Sequence, residues 1–207
     1  MGMVGIEKVY LGVLNKNGTP ILDDNKGFTT GMIEVTDEML GTSTFNFQTS
    51  KNSEEIAGNN KALSIQKSMP TASADITFNN LPFDIQQKVL GREKVGQGWV
   101  DSMVNTYCVV IAQSPIPDSK DKVYTVLGKT VATSKGYNLQ TSTSKKTNRV
   151  SDEMSFEGLA CDALNDMPVM TCSSADAGFS KKAMFDQVCP GQTLITETST
   201  PAVKKSK

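Results

Sequence analysis

Thr42-Ser-Thr-Phe-Asn-Phe-Gln-Thr49 is the stretch that decides the fold class. Phe45 and Phe47 recur every second residue, with Thr44, Asn46 and Gln48 between and beside them. A period of two sends successive side chains to opposite faces, which predicts a half-buried strand with one apolar and one polar side. The alternation returns in Lys61-Ala-Leu-Ser-Ile-Gln-Lys-Ser-Met69, where Leu63 and Ile65 oppose Ser64 and Gln66. It returns again in Ala72-Ser-Ala-Asp-Ile-Thr-Phe-Asn79 through Ala74, Ile76 and Phe78. Between the first two strands, residues 50–60 are polar and turn-rich and read as a loop. A loop of that length exceeds what a strand connection needs, and long loops usually carry function. The strands on either side of it, 42–49 and 61–69, are expected to pair as an antiparallel hairpin.

Working outward, Lys8-Val-Tyr-Leu-Gly-Val-Leu14, the turn Asn15-Lys-Asn-Gly18 and Thr19-Pro-Ile-Leu22 predict a hairpin, since Asn-Gly between apolar runs is a strong turn signal. Further strands are expected at 31–36, 104–113, 122–131, 136–140 and 153–159. The period changes twice. A short helix from 82 or 83 to 90 has Pro82 near its first turn, an apolar stripe of Phe83 or Ile85 with Val89 and Leu90, and Gly91 as a left-handed cap. A second spans 181–188, capped by Ser180, with Phe179 stapled on Met184 and Cys189-Pro-Gly191 ending it. Eight to ten strands, two short helices and no regular strand–helix alternation predict a mainly β fold: an antiparallel β-sandwich or barrel. The expected organisation is one domain over residues 1–190 and a polar tail over 191–207, ending in Lys204, Lys205 and Lys207.

Composition narrows the function. Among 207 residues there is no histidine, which removes the commonest general base and zinc ligand and any Ser-His or Cys-His nucleophile. Lys and Arg number 21 against 22 Asp and Glu, for a net charge of -1, whereas a stable nucleic-acid binder carries a basic stripe. Hydroxyl residues are abundant, 21 Thr and 19 Ser, which suits pleated, half-exposed surfaces. No apolar run approaches the roughly 18 residues of a membrane span, and the N-terminal residues carry no secretory or myristoylation pattern.

The remaining motifs read as structural. Cys108, Cys161, Cys172 and Cys189 fit no zinc spacing and are expected to be free thiols. The pairs Asp23-Asp24, Glu54-Glu55 and Asp152-Glu153 read as solvated turns, Lys145-Lys-Thr-Asn-Arg149 as an exposed loop, and Gly91, Gly96 and Gly98 as turn glycines. Trp99, the single Trp, reads as a packing residue. No catalytic, cofactor-binding or metal-ligating residue is assigned, and no cofactor is expected.

Three stretches carry a family likeness: Gly5-Ile-Glu-Lys-Val-Tyr-Leu-Gly12, Asp75-Ile-Thr-Phe-Asn-Asn-Leu-Pro-Phe-Asp-Ile-Gln-Gln-Lys-Val-Leu-Gly91, and Met154-Ser-Phe-Glu-Gly-Leu159. In these, over roughly residues 5 to 190, the chain resembles the major tail tube proteins of long, non-contractile-tailed phages of Gram-positive bacteria. The resemblance implies a β-sandwich subunit, hexameric rings stacked into a tube, and passage of DNA without stable binding. It also implies tape measure and tail terminator proteins as partners, and a virion protein made in the bacterial cytoplasm. The family's reaching loop matches residues 50–60 best, making Lys51, Asn52, Glu54, Glu55 and Asn59 candidates for contact between rings. Thr44, Asn46, Gln48, Ser64 and Gln66 are the candidate lumen-facing residues, a neutral surface of hydroxyls and amides. The competing reading is a carbohydrate-binding or adhesion β-sandwich module of a baseplate or cell surface.

Overall fold

A computed structural model describes residues 3–51, 53–58, 61–102, 104, 106–136 and 151–196, with residues 53–58 and 61–67 described by their backbone alone. In chain order the elements are β1 (Lys8–Leu14), β2 (Met32–Glu34), β3 (Thr42–Ser50), β4 (Ser53–Gly58), β5 (Lys61–Lys67), β6 (Thr71–Phe78), α1 (Phe83–Val89), β7 (Arg92–Val95), β8 (Gly98–Asp101), β9 (Tyr107–Pro115), β10 (Lys122–Ser134), β11 (Asp152–Gly158), β12 (Val169–Ser173) and α2 (Lys181–Val188). All pairings are antiparallel, and the large open sheet runs β2-β1-β9-β10-β11-β6-β3, with β12 also on β10. The mainly antiparallel β class with two short helices is therefore as expected.

The sheet has two regimes. At its centre β1, β9 and β10 are near-continuous apolar runs, and both of their faces are covered. Val9, Leu11, Val13, Cys108, Val110 and Leu127 belong to one core, together with β6 and β11 side chains and Val89 of α1. Tyr10, Leu14, Val109, Ile111, Tyr124 and Val126 belong to a second core beneath Met184, Phe185 and Val188 of α2. Each fully buried Val, Leu, Ile or Phe contributes about 1.5–3 kcal/mol, so a strand buried on both sides concentrates stability. Strand β10 serves both regimes: residues 123–127 pair with β12 and 130–134 with β11, with a register shift between Leu127 and Thr130. Gly128 lies in that shift, where an added Cβ would come within 2.7 Å of Cys161 Sγ and 2.8 Å of Leu164 Cδ1.

Local chemistry sets the helix ends. Ser180 Oγ accepts the Ala183 N–H at the start of α2, as expected from its cap position. Gly91, at φ +72°, follows α1 and its N–H reaches the Lys88 carbonyl. The stripe of α1 is formed by Ile85, Val89 and Leu90, while Phe83 is exposed. Phe179 stacks on Tyr124 with centroids 5.4 Å apart. Lys181, in the first turn of α2, donates to Tyr10 Oη at 2.9 Å and lies over the Tyr10 and Phe185 rings, tying the helix to β1. All four cysteines are free, and burial pushes the Cys108 and Cys189 thiols up to about 12.

Several local expectations are corrected. Strands 42–49 and 61–69 are not partners: β3 pairs with β6, and β4 with β5. Register runs Ser50–Thr71 in one pair and Ser53–Lys67 in the other, so β3–β4 and β5–β6 form the two sides of one long ribbon. Pro70, which has no N–H for a ladder, falls at the break. The expected loop 50–60 is thus mostly strand, because strand formation follows the partner at hand more than composition. Residues 92–101 form the β7–β8 hairpin, which was not expected; Gly96 is in its turn as read, whereas Gly98 lies in β8. Residues 19–22 contribute only a bridge, Leu14 to Pro20. Asp152 and Glu153 lie in β11, not in a turn. The expected strand 136–140 lies outside the described residues beyond Gly136, as does the basic run 145–149.

Candidate assembly surface

The second regime of the sheet is a four-stranded blade, β3, β6, β11 and the last part of β10, covered on one face only. Phe45 and Phe47 of β3, Ala74, Ile76 and Phe78 of β6, Met154 and Phe156 of β11 and Ala132 of β10 turn inward to the first core. Their neighbours turn outward in cross-strand rows fixed by register. One row is Thr44–Thr77–Glu153, where Thr44 Oγ1 donates to Thr77 Oγ1 at 2.7 Å. The next is Asn46–Asp75–Ser155–Thr133, and the third Gln48–Ser73–Glu157–Val131.

This outer face is acidic. Lys135 Nζ pairs with Asp75 Oδ2 at 2.7 Å, and that hydrogen bond, with help from Ser155, holds the Asp75 carboxyl below its ordinary range. Glu153 and Glu157 are exposed and have no ion-pair partner among the described residues. Among the described residues, three carboxylates against one ammonium give this face two net negative charges, so Thr44, Asn46 and Gln48 share it with charged neighbours that the expected surface of hydroxyls and amides did not include.

Both long edges of the blade are open among the described residues. The outer edge of β3 has no partner, and β9 stops opposite Thr130, leaving residues 131–134 of β10 unpaired on that side. An unpaired edge of this kind is a template for another chain. From the Ser50–Thr71 end of the blade the ribbon continues as the β4–β5 arm.

The expected site residues fall into two groups. Thr44, Asn46 and Gln48 are exposed on the blade, beside Ser73, Asp75, Thr77, Glu153 and Ser155, which the sequence reading did not include. Ser64 and Gln66 belong to β5, opposite Ile56 and Glu54, and so lie on the arm and not on the blade. Lys51 is exposed where the arm begins, and Glu54 and Glu55 are in β4. Asn52 and Asn59 lie outside the described residues. The polar period of β6 was the available signal for the missed residues, since Ser73, Asp75 and Thr77 alternate with Ala74, Ile76 and Phe78.

Among the described residues, no helix is long and apolar enough to cross a membrane. The last described residues run back along the body: Thr193 N–H donates to the Thr30 carbonyl at 3.0 Å, and Leu194 and Ile195 pack against the second core. A search of curated proteins finds no match to the chain. The family model described as phage tail tube protein matches residues 1–197, nearly the whole length, and on that match this chain belongs to the phage tail tube protein family, structural components of the virion tail.

Proposed function

We propose that the subunit closes into hexameric rings that stack as the tail tube, with the blade facing a lumen through which DNA passes. The observation that carries this is the blade itself: four strands, a polar outer face and two free edges. Its strands alternate in direction from β10 to β3, so rotation about a ring axis brings β3 of one copy antiparallel to residues 131–134 of the next. Such a contact is heterologous, and it yields a ring when the rotation closes. Six is the number implied by the family resemblance. An acidic face repels phosphate, which favours sliding over binding. The β4–β5 arm, with Lys51, Glu54, Glu55 and the flanking Asn52 and Asn59, is the element that reaches the neighbouring ring. Tape measure and tail terminator proteins are the partners proposed for the tube's interior and end, and residues 1–190 are proposed as one assembling domain.

Negative-stain microscopy of the purified protein tests the reading, with stacked six-fold rings or tubes as the expected result. Monomers that bind glycans would support an adhesion module instead. Deleting 54–59, most of β4, is expected to leave a folded subunit with impaired stacking, since β4 pairs only with β5 and lies outside the large sheet. Circular dichroism and sedimentation read the two effects separately.

A further inference from the structure

The turn that leads into β3 contains a residue in a conformation it resists. Leu40 has φ +54° and ψ +16°, the left-handed region, which a bulky side chain rarely adopts because its Cβ crowds the backbone. The surroundings enforce it. Leu40 N–H donates to the Asp37 carbonyl at 2.9 Å, Asn79 Nδ2 donates to the Leu40 carbonyl at 2.9 Å, and Asn79 N–H donates to the Gly41 carbonyl at 3.2 Å. The subunit gains no packing in return. Leu40 is 47% exposed and belongs to neither core, whereas its neighbour Met39 packs inward. Strain held by a network of hydrogen bonds, presenting an apolar side chain to water, is a feature that makes sense when something else covers that side chain.

Its position says what. Leu40 stands two residues before Thr42, at the end of the free edge strand opposite to the end from which the β4–β5 arm projects. Copies arranged head to tail bring the arm end of one subunit against the Leu40 end of the next. We propose that Leu40 is an apolar contact held outward for a second copy of this chain, seated against that copy's arm end. This rests on the tube reading and names a residue of its stacking contact.

The test is Leu40→Gly, with Leu40→Asn as a second variant, since both residues tolerate the left-handed region. Two quantities are measured: the melting temperature of the unassembled subunit, and the protein concentration at which tubes form. Melting should hold or rise by a few degrees as strain is relieved, while the concentration needed for tubes should rise about tenfold as a buried contact is lost. If wild type forms tubes and both variants form them at the same concentration, the inference is overturned. A lower melting temperature in both variants also overturns it, because Leu40 would then serve its own fold. If the wild type forms no tubes, the tube reading itself fails, and the inference goes with it.

Discussion

The two regimes of the large sheet differ in how many faces each strand covers. In β1 and β9 almost every side chain is buried, because the first core lies on one side and α2 on the other. In β6 alternate residues are buried and in β3 Phe45 and Phe47 are half-buried, while the residues between them carry hydroxyls, amides and carboxylates. The comparison separates two tasks within one continuous sheet. The centre holds the subunit together, and the blade, stabilised from one side only, leaves a polar face and two edges for other molecules. Substitutions at the centre should therefore act on folding, and those on the blade on what the folded subunit does.

The largest effect is expected from Phe185→Ala. Phe185 is fully buried and meets the Tyr10 ring edge-on at 4.9 Å, joining α2 to β1. Truncating a buried aromatic costs about 3–5 kcal/mol, a large share of a domain's total stability. Chemical denaturation should place the variant's midpoint far below wild type. A near-unchanged midpoint would mean that α2 is not part of the folding unit. Smaller by a factor of about three is Ser180→Ala, which removes the cap from the Ala183 N–H and should cost about 1 kcal/mol. The same measurement reads it.

Legibility in the sequence follows how local the deciding interaction is. The bounds of α2 follow from a serine, a proline–glycine stop and the side chains between them, all close together in the chain, and the structure reproduces 181–188. Strand β1 is equally legible as an apolar run ending at Asn15-Lys-Asn-Gly18. The alternation of β3 correctly sorts Phe45 and Phe47 from Thr44, Asn46 and Gln48. Pairing is another matter. Whether β3 lies beside 61–67 or 71–78 depends on where the ribbon turns, and both candidates alternate. The acidity of the blade was hidden for the same reason: Glu153 and Glu157 reach it only because β11, far along the chain, pairs with β6. Strands β7, β8 and β12 are short and lack a clean alternation, so nothing local announced them.

A smaller effect separates the regimes by pH. Lys122 lowers the Glu7 carboxyl at the edge of the centre through a 2.6 Å contact, as Lys135 lowers Asp75 on the blade. A carboxyl with a depressed folded-state pKa adds stability above its unfolded value and loses it as pH falls through the folded value. Melting temperature should stay level from neutral pH to about 5 and decline below about 4. In Asp75→Asn that acid decline should become slightly shallower, and at neutral pH the loss should stay within about 0–1 kcal/mol, as for a half-exposed ion pair. A loss well beyond that at neutral pH would mean that the blade's outer face helps to hold the fold and would blur the comparison.

The smallest effect on folding, and the most informative for function, is expected from Glu153→Lys combined with Glu157→Lys. Both side chains are exposed on the blade, so stability should change within about 0.5 kcal/mol, with some repulsion between the ammonium introduced at position 153 and the nearby Lys135. Charge changes far more. Two negative charges per copy become two positive, and in a ring of six the lumen would shift from twelve negative to twelve positive. Asn46→Lys with Gln48→Lys would only cancel the existing charge, so it serves as the intermediate point. DNA should ignore wild-type tubes, associate weakly with the Asn46 and Gln48 variant, and bind the double glutamate variant with an affinity that falls steeply as salt rises, because each phosphate contact releases counterions. Equal indifference to DNA in all three tubes at low salt would mean that the blade does not face the channel. Strong binding by wild type would mean that the face meets DNA in a way its acidity does not explain. A graded response across the three would tie the lumen to the blade.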